Sequence, residues 1–276
     1  MINGIERHIK DFSIEAIAES GQCFRIVPEE NGAFCITALD RLLTVRQLDE
    51  EVFGFSCSDE EFDLIWADYF DLGTDYEVYR ALTLPEDEYL KTAISFGSGI
   101  RILRQDAWEM LISFIISQRK SVPAIRTSVE RLSERFGKPI GRYSDGRTAY
   151  AFPEADALAG ADTEELSACG LGYRVGYVRN AARLVQSGEL DLKRLEQLDT
   201  PQLIEALMKL QGVGIKVASC AALFGYHRLD TVPVDVWMKR VIDTVYNGSL
   251  PEEYKPYAGV LQQYMFNYAR INKVGI

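Results

Sequence analysis

No apolar run in this 276-residue chain approaches the roughly eighteen residues that a membrane-spanning helix requires; the best, at 111–116, is far too short, and no membrane partner is expected. The opening Met1-Ile2-Asn3-Gly4-Ile5-Glu6-Arg7 lacks the basic-then-apolar layout of a secretory signal. Cysteine is sparse and unpatterned: Cys23, Cys35, Cys57, Cys169 and Cys220 are odd in number and never in C-x-x-C spacing. That excludes a disulfide framework and a cysteine zinc site, and it suits a reducing compartment. Internal repeats and low-complexity tracts are absent as well.

Positive charge is also scarce. Lys and Arg number 30 against 41 Asp and Glu, a net −11 that argues mildly against contact with a polyanion, because neutralising phosphates takes Lys and Arg. The distribution weakens that objection. Between Asp49 and Leu90 fourteen acids face a single base, Arg80, whereas the rest of the chain holds 27 acids and 29 bases. The acidity is confined to one segment, and the remainder is free to present a basic face. What is present is ordinary for a globular protein, 47% hydrophobic and 26% charged, enough for one large core or two to three smaller ones.

The N-terminal stretch reads as strands. Residues 23–27 and 33–37, joined through Pro28-Glu29-Glu30-Asn31-Gly32, form an expected hairpin, and 42–46 and 52–56 add strands of an antiparallel sheet. After Glu60 the pattern turns helical. Val122, Ile125, Val129, Leu132 and Phe136 line one helix face, with Gly137 and Pro139 as the stop. An apolar helix over 105–117 precedes it, and others are expected at 175–186, 201–210, 216–224, 235–245 and 256–270. The expected fold class is α+β: an N-terminal antiparallel β-sheet domain, 1–95, ahead of a mostly α-helical body, 96–276.

The most informative stretch is Leu210-Gln211-Gly212-Val213-Gly214-Ile215-Lys216-Val217-Ala218-Ser219-Cys220. Two helices meet through Gly-Val-Gly, whose glycines permit positive φ and let the backbone approach a ligand. The second helix opens at once, and its first N–H groups have no internal partner. Such a turn grips a phosphate without reading sequence, although many helix–helix turns contain glycine. Lys216 stands in the first turn, where the macrodipole disfavours a cation. A surface lysine is the ordinary reading. The sharper one is that a helix N-terminus and partial burial disfavour the ammonium form, leaving an amine able to form a Schiff base. Nineteen residues on, Thr231-Val232-Pro233-Val234-Asp235-Val236-Trp237 places Asp235 at the start of another helix. There it caps the helix, worth about 1 kcal/mol, and can also face a developing positive charge. Because a close carboxylate would favour the ammonium, the two side chains are expected near one another but not tightly paired.

Leu210–Cys220 followed by Val232-Pro233-Val234-Asp235-Val236 closely resembles the helix-hairpin-helix and Gly/Pro/Asp signature of the DNA glycosylase superfamily, with the motif at about 202–225. Within it the chain is similar to the 8-oxoguanine DNA glycosylases. That likeness extends over Gly21-Gln22-Cys23-Phe24-Arg25, Leu103-Arg104-Gln105-Asp106, Ser113-Phe114-Ile115, Leu171-Gly172-Tyr173-Arg174 and the C-terminal helix. The resemblance implies that Lys216 attacks the sugar C1′ and that Asp235 stabilises the oxocarbenium-like transition state, with β-elimination through the Schiff base to follow. It implies that Gln262 reads the Watson–Crick edge of the flipped base, that Phe266 stacks on one face, and that Cys220 lies on the other. The Gly21 carbonyl would accept the hydrogen on N7 that distinguishes the oxidised base from guanine. Tyr173 matches an aromatic wedge and Arg174 a residue toward the estranged base. Gln118, Arg119, Lys120, Gly212 and Gly214 complete the expected DNA contacts, and the carbonyls of Met208, Leu210 and Val213 could hold a structural monovalent cation. No other cofactor is implied. The expected partner is duplex DNA carrying oxidised guanine, met by a monomer in the cytoplasm of a prokaryote, nucleoid-associated, or in a nucleus.

The chain departs from the eukaryotic-type pattern. An Asn run is replaced by Gln118-Arg119-Lys120-Ser121, and an Arg facing the opposite cytosine is replaced by Ala124, so no opposite-base preference carries over. Trp237 and Ala269 stand where the family has a His and its partner Asp, two mutually consistent losses. Three rival readings stay in view. Alkylated-base glycosylases of the same superfamily generally lack the lysine. The endonuclease III type carries a C-terminal iron–sulfur cluster, and no cysteine follows Cys220. A non-catalytic helix-hairpin-helix module, or a plain helical scaffold, explains Gly212 and Gly214 but not Lys216, Asp235, Gln262 and Phe266 together.

Overall fold

The computed structural model describes residues 4–273. Five strands form the N-terminal sheet: β1 (Ile5–His8), β2 (Ile26–Pro28), β3 (Ala33–Ala38), β4 (Arg41–Asp49) and β5 (Val52–Phe55). Their order is β1-β5-β4-β3-β2, with every neighbour antiparallel. In β4 the alternation buries Leu43 and Val45 and leaves the intervening side chains half-buried. The expected hairpin strand 23–27 is shifted: Cys23, Phe24 and Arg25 precede β2, which ends at Pro28 on the sheet edge, where a missing N–H costs no ladder bond. Strand β1 was not anticipated and closes the other edge, with Ile5 opposite Phe55. One sheet face is covered by a helical segment that bends through a π-turn at Phe62–Trp66. Phe12, Phe53, Phe55, Phe62, Trp66, Tyr69 and Phe70 form its aromatic core, with edge-to-face pairs such as Phe12–Phe53 at 5.0 Å.

Packing passes to the helical body earlier than the expected boundary near residue 95. Leu72 is the last residue of this segment to touch the sheet core, whereas Tyr76, Tyr79 and Ala93 already lie in the helical core. The short helix α1 (Ile14–Glu19) lies between the first strands, and α2 (Glu88–Phe96) packs on the last helix. The main core surrounds α3 (Ala107–Ser117), flanked by α4 (Val122–Phe136), α5 (Val175–Gln186) and the hairpin helices α6 (Thr200–Met208) and α7 (Ile215–Gly225). Residues Trp108 to Ser117 of α3 are all buried, which explains an apolar character on every face. A third core joins α2, α8 (Val236–Thr244) and α9 (Ala258–Asn272) through Leu90, Met238, Val241, Tyr254, Leu261 and Met265. Ala269 belongs to it and Trp237 packs against it, so both positions have an apolar filling.

A two-stranded ribbon, β6 (Pro139–Arg142) and β7 (Thr148–Tyr150), interrupts the helical body and docks on the sheet through Leu42, Cys35, Tyr143 and Ala149. Arg25, buried, spans the same junction. Its guanidinium lies 4.0 Å from Glu109 and 3.8 Å from Glu130 and donates to the Tyr150 carbonyl. Burial pushes the Glu109 carboxyl up from 4.5 to about 7 despite the opposing field of Arg25. The native state thus keeps a proton that the unfolded chain releases in this window, so this group's contribution to stability falls as pH rises from 4.5 to about 7. Glu109→Gln is expected to flatten that fall by up to about 3 kcal/mol. Thermal melts across the window read it directly, and an unchanged pH slope would place the titrating group elsewhere.

Candidate active site

The hairpin is built from local signals. Asp199 caps α6 by accepting from the Gln202 N–H at 2.9 Å, with Pro201 in the first turn, and Gly214 is the N-cap of α7. Only one of the two glycines uses positive φ. Gly212 has φ +80°, and a Cβ there would fall 2.3 Å from Cδ2 of Tyr177, whose ring covers the turn. Gly214, expected to share that role, is extended at φ −95° and ψ 178°. It instead leaves the N-terminus of α7 uncovered, with nothing within 4 Å of where a Cβ would stand. Gly212→Ala, strained in backbone and blocked by the ring, is expected to weaken binding to undamaged duplex about tenfold or more. Fluorescence anisotropy tests this, and unaltered affinity would remove the turn from the contact surface.

Tyr173, 55% exposed, stands at the start of α5 with its ring 6.0 Å from that of Tyr177. Arg174 is placed differently from a DNA-facing arginine. It is 5% exposed, its guanidinium lies 4.3 Å from the Tyr173 ring, and it donates to the carbonyls of Leu171 and Gln118. Lys120 is also turned inward, donating to Ser128 Oγ at 2.5 Å and to the Gly170 carbonyl at 2.6 Å. Burial, with Arg174 and Arg131 nearby, pulls its amine below the usual lysine range. The 118–120 and 170–174 segments are thereby laced together. Arg119 remains exposed at φ +53°, and the Gln118 amide donates to the Ile115 carbonyl at 3.0 Å.

Lys216, Asp235, Gly21, Cys220, Gln262 and Phe266 line one cavity of about 50 Å³, completed by Phe114, Phe224, Pro233 and Gln263. A larger cavity of about 370 Å³ lies between β2 and α4 and contains none of these groups. Lys216 Nζ is 3.4 Å from Ser117 Oγ and 5.1 Å from the centre of the Phe114 ring. Among the described residues it forms no ion pair with Asp235, although the two are close enough for its charge to act on the carboxyl. Asp235 Oδ1 accepts from the N–H groups of Trp237 and Met238 at 3.0 and 2.9 Å. Burial nevertheless holds its carboxyl above the usual aspartate range, against the opposing pull of the Met238 N–H and of Lys216.

Gln262 is 3% exposed, and among the described residues its side-chain oxygen has no hydrogen-bond donor. An orphaned buried acceptor costs about 1–3 kcal/mol, so it marks a place where a ligand edge completes the site. Phe266, one helical turn on, stands against Gly21, where an added Cβ would lie 3.1 Å from its Cε1. Burial pushes the Cys220 thiol up, so it offers a neutral wall. Sequence reasoning assigned no part to Ser117, Phe224 or Gln263. At the hairpin, the Leu210 carbonyl accepts from Val213 N–H at 3.1 Å, and among the described residues no donor reaches the carbonyls of Met208 or Val213.

Two helices joined by a glycine turn with open N–H groups, beside a cavity holding an amine, a half-buried carboxylate and an orphaned amide, define a helix-hairpin-helix protein of base-excision repair. Residues 112–256 match the HhH-GPD superfamily of base excision DNA repair proteins, and residues 5–111 match the 8-oxoguanine DNA glycosylase N-terminal domain. The chain belongs to that superfamily and, within it, to the 8-oxoguanine DNA glycosylases. It is 31% identical over 231 residues to a probable N-glycosylase/DNA lyase of Methanothermobacter thermautotrophicus, covering 73% of this chain and 72% of that one. The solved structure of MBOgg1 with a low-affinity DNA ligand is similar at 39% identity and a TM-score of 0.90, covering 97% of this chain and 95% of that one. The Clostridium acetobutylicum 8-oxoguanine glycosylase/lyase, bound to duplex DNA with cytosine opposite 8-oxoguanine, is similar at 33% identity and a TM-score of 0.88, over 99% and 100% of the two chains.

Proposed function

We propose that this protein is a bifunctional DNA glycosylase and AP lyase that removes 8-oxoguanine from duplex DNA as a monomer. The observation that carries the reading is the unpartnered oxygen of Gln262 in the same cavity as Lys216 and Asp235. That acceptor suits the N–H groups on the Watson–Crick edge of a guanine-type base. The open N-terminus of α7 holds backbone phosphate, with a monovalent cation on Met208, Leu210 and Val213 supporting the turn. Tyr173 fills the gap left by the extruded base.

The cavity of about 50 Å³ has room for a water or two rather than a purine, so Phe266 swings away from Gly21 as the base enters and then stacks on it. The Lys216 amine, uncharged when it reacts, forms a bond to C1′ as the bond from C1′ to the base breaks. The departing base takes that electron pair and a proton. Asp235, anchored by two backbone N–H groups and never paired with Lys216, faces the positive charge that grows on the sugar. The nitrogen lone pair then closes the C=N bond as the C1′–O4′ bond opens and O4′ takes a proton; the resulting Schiff base acidifies C2′, and loss of a C2′ proton expels the 3′ phosphate and cuts the strand.

A panel of duplexes tests this: 8-oxoguanine, an alkylated purine or undamaged guanine, each against the four opposite bases, scored for base loss and for strand cleavage without alkali. Fast release of 8-oxoguanine with cleavage is expected. Preference for the alkylated purine would move the protein to that branch of the superfamily, and binding without base loss would leave only a DNA-holding module.

A further inference from the structure

The carbonyls around Gly21 are treated unequally. The Ile17 carbonyl accepts from the Ser20 hydroxyl at 2.7 Å, Ala18 from Arg126 at 2.6 Å, Glu19 from Arg270 and Ser20 from Gln263 at 2.6 Å. The Gln22 carbonyl accepts from Gln105 at 3.0 Å. Among the described residues no donor reaches the carbonyl of Gly21, which lies in the middle of this row on a residue that lines the cavity. Gly21 sits at φ +78°, a conformation that aims its carbonyl away from the direction α1 would have given it.

The three donors reach α1 from elements remote in sequence, Arg126 on α4 and Gln263 and Arg270 on α9, which also carries Gln262 and Phe266. Their arrangement opposes charge economy. Burial lowers the Arg270 guanidinium from its usual range, and Arg126 adds to that fall while Glu19 opposes it. Two guanidiniums are thus held close together, each on a backbone oxygen of one short segment.

We infer that Arg126, Arg270 and Gln263 are positioning residues for lesion recognition, clamping the carbonyls of residues 18–20 so that the free Gly21 carbonyl is fixed toward N7 of the bound base. This rests on the proposed reading of the cavity as an 8-oxoguanine site. None of the three need touch the base. Because α9 supplies two of the three clamping residues as well as Gln262, the two polar readers of the base keep a constant separation.

The test measures binding in a full-length Lys216→Gln background, which prevents turnover. Three duplexes are compared: one with 8-oxoguanine, one with 8-bromoguanine, which fills C8 but keeps a bare acceptor at N7, and one with a tetrahydrofuran abasic analogue. Preference for 8-oxoguanine over 8-bromoguanine reports the N7–H contact itself. Arg126→Met and Gln263→Met are expected to cut that preference about three- to tenfold, the scale of one neutral hydrogen bond, each measured well below the variant's own melting temperature, with abasic affinity unchanged in Arg126→Met. Arg126→Lys, which still donates, restores it. Equal weakening on all three duplexes, or an unchanged preference, would reduce the clamp to a structural contact and overturn the inference. No preference in the parent protein would instead overturn the Gly21 contact, and the clamp with it. If Gln263→Met does not fold, Arg126→Met on the half-buried face of α4 decides alone.

Discussion

Lys216→Gln is expected to abolish the covalent enzyme–DNA species that borohydride traps on lesion-bearing duplex, and to lower base excision at least ~10³-fold. The expectation follows from the company Lys216 keeps. Its amine lies between Ser117 Oγ and the face of Phe114, and no carboxylate pairs with it among the described residues. A salt-bridged lysine would hold its proton and its position. This one lies in the cavity with Asp235 and has a hydroxyl and a ring as neighbours, so no ion pair has to be broken before it bonds to carbon. Glutamine preserves much of the stem and its packing, so the fold should survive, and specific lesion binding with it. Trapping that persists in the variant would assign the nucleophile to another amine.

Asp235→Asn separates two functions of one side chain. Asparagine is as good an N-cap as aspartate and can still accept from the Trp237 and Met238 N–H groups, so the melting temperature is expected to change little. The negative charge is lost, and excision is expected to fall about 10²–10³-fold, the usual scale for removing one preorganised electrostatic partner. The pH profile provides a second check. The carboxylate must be ionised to stabilise a cation, and burial raises its pKa from 3.8. Excision by the parent protein should therefore decline as pH falls, with an acid limb above the ordinary aspartate range. That limb should vanish in Asp235→Asn. Full activity in the variant would leave Asp235 a cap and nothing more.

The features legible in the sequence are those fixed by short-range chemistry. The hairpin at Gly212, the cap at Asp235 and the four-residue spacing of Gln262 and Phe266 each follow from a backbone rule acting within one or two turns. The α+β division was readable for the same reason, from alternation in β4 and helical spacing in α4. The ribbon β6–β7 was not, because strands of four and three residues are too short to carry an alternation that can be read. The companions of Lys216 were hidden for a different reason. Ser117 and Phe114 arrive from a buried helix whose apolar character is dictated by the core, so nothing in α3 distinguishes the residues that touch the cavity. The partners of Arg174 and Lys120 were equally hidden, because the carbonyls of Gln118 and Gly170 that their cationic groups hold lie about fifty residues away.

That last arrangement constrains how such a protein can be re-engineered. Arg174 grips the carbonyl of Gln118, and Lys120 grips the carbonyl of Gly170, so each loop supplies the other's anchor. Transplanting the tyrosine-bearing loop from a relative, without its counterpart ahead of α4, strands a half-buried ammonium and a buried guanidinium at one stroke. Directed evolution of the intercalating surface therefore has to treat residues 118–120 and 170–174 as a single cassette, inherited or exchanged whole.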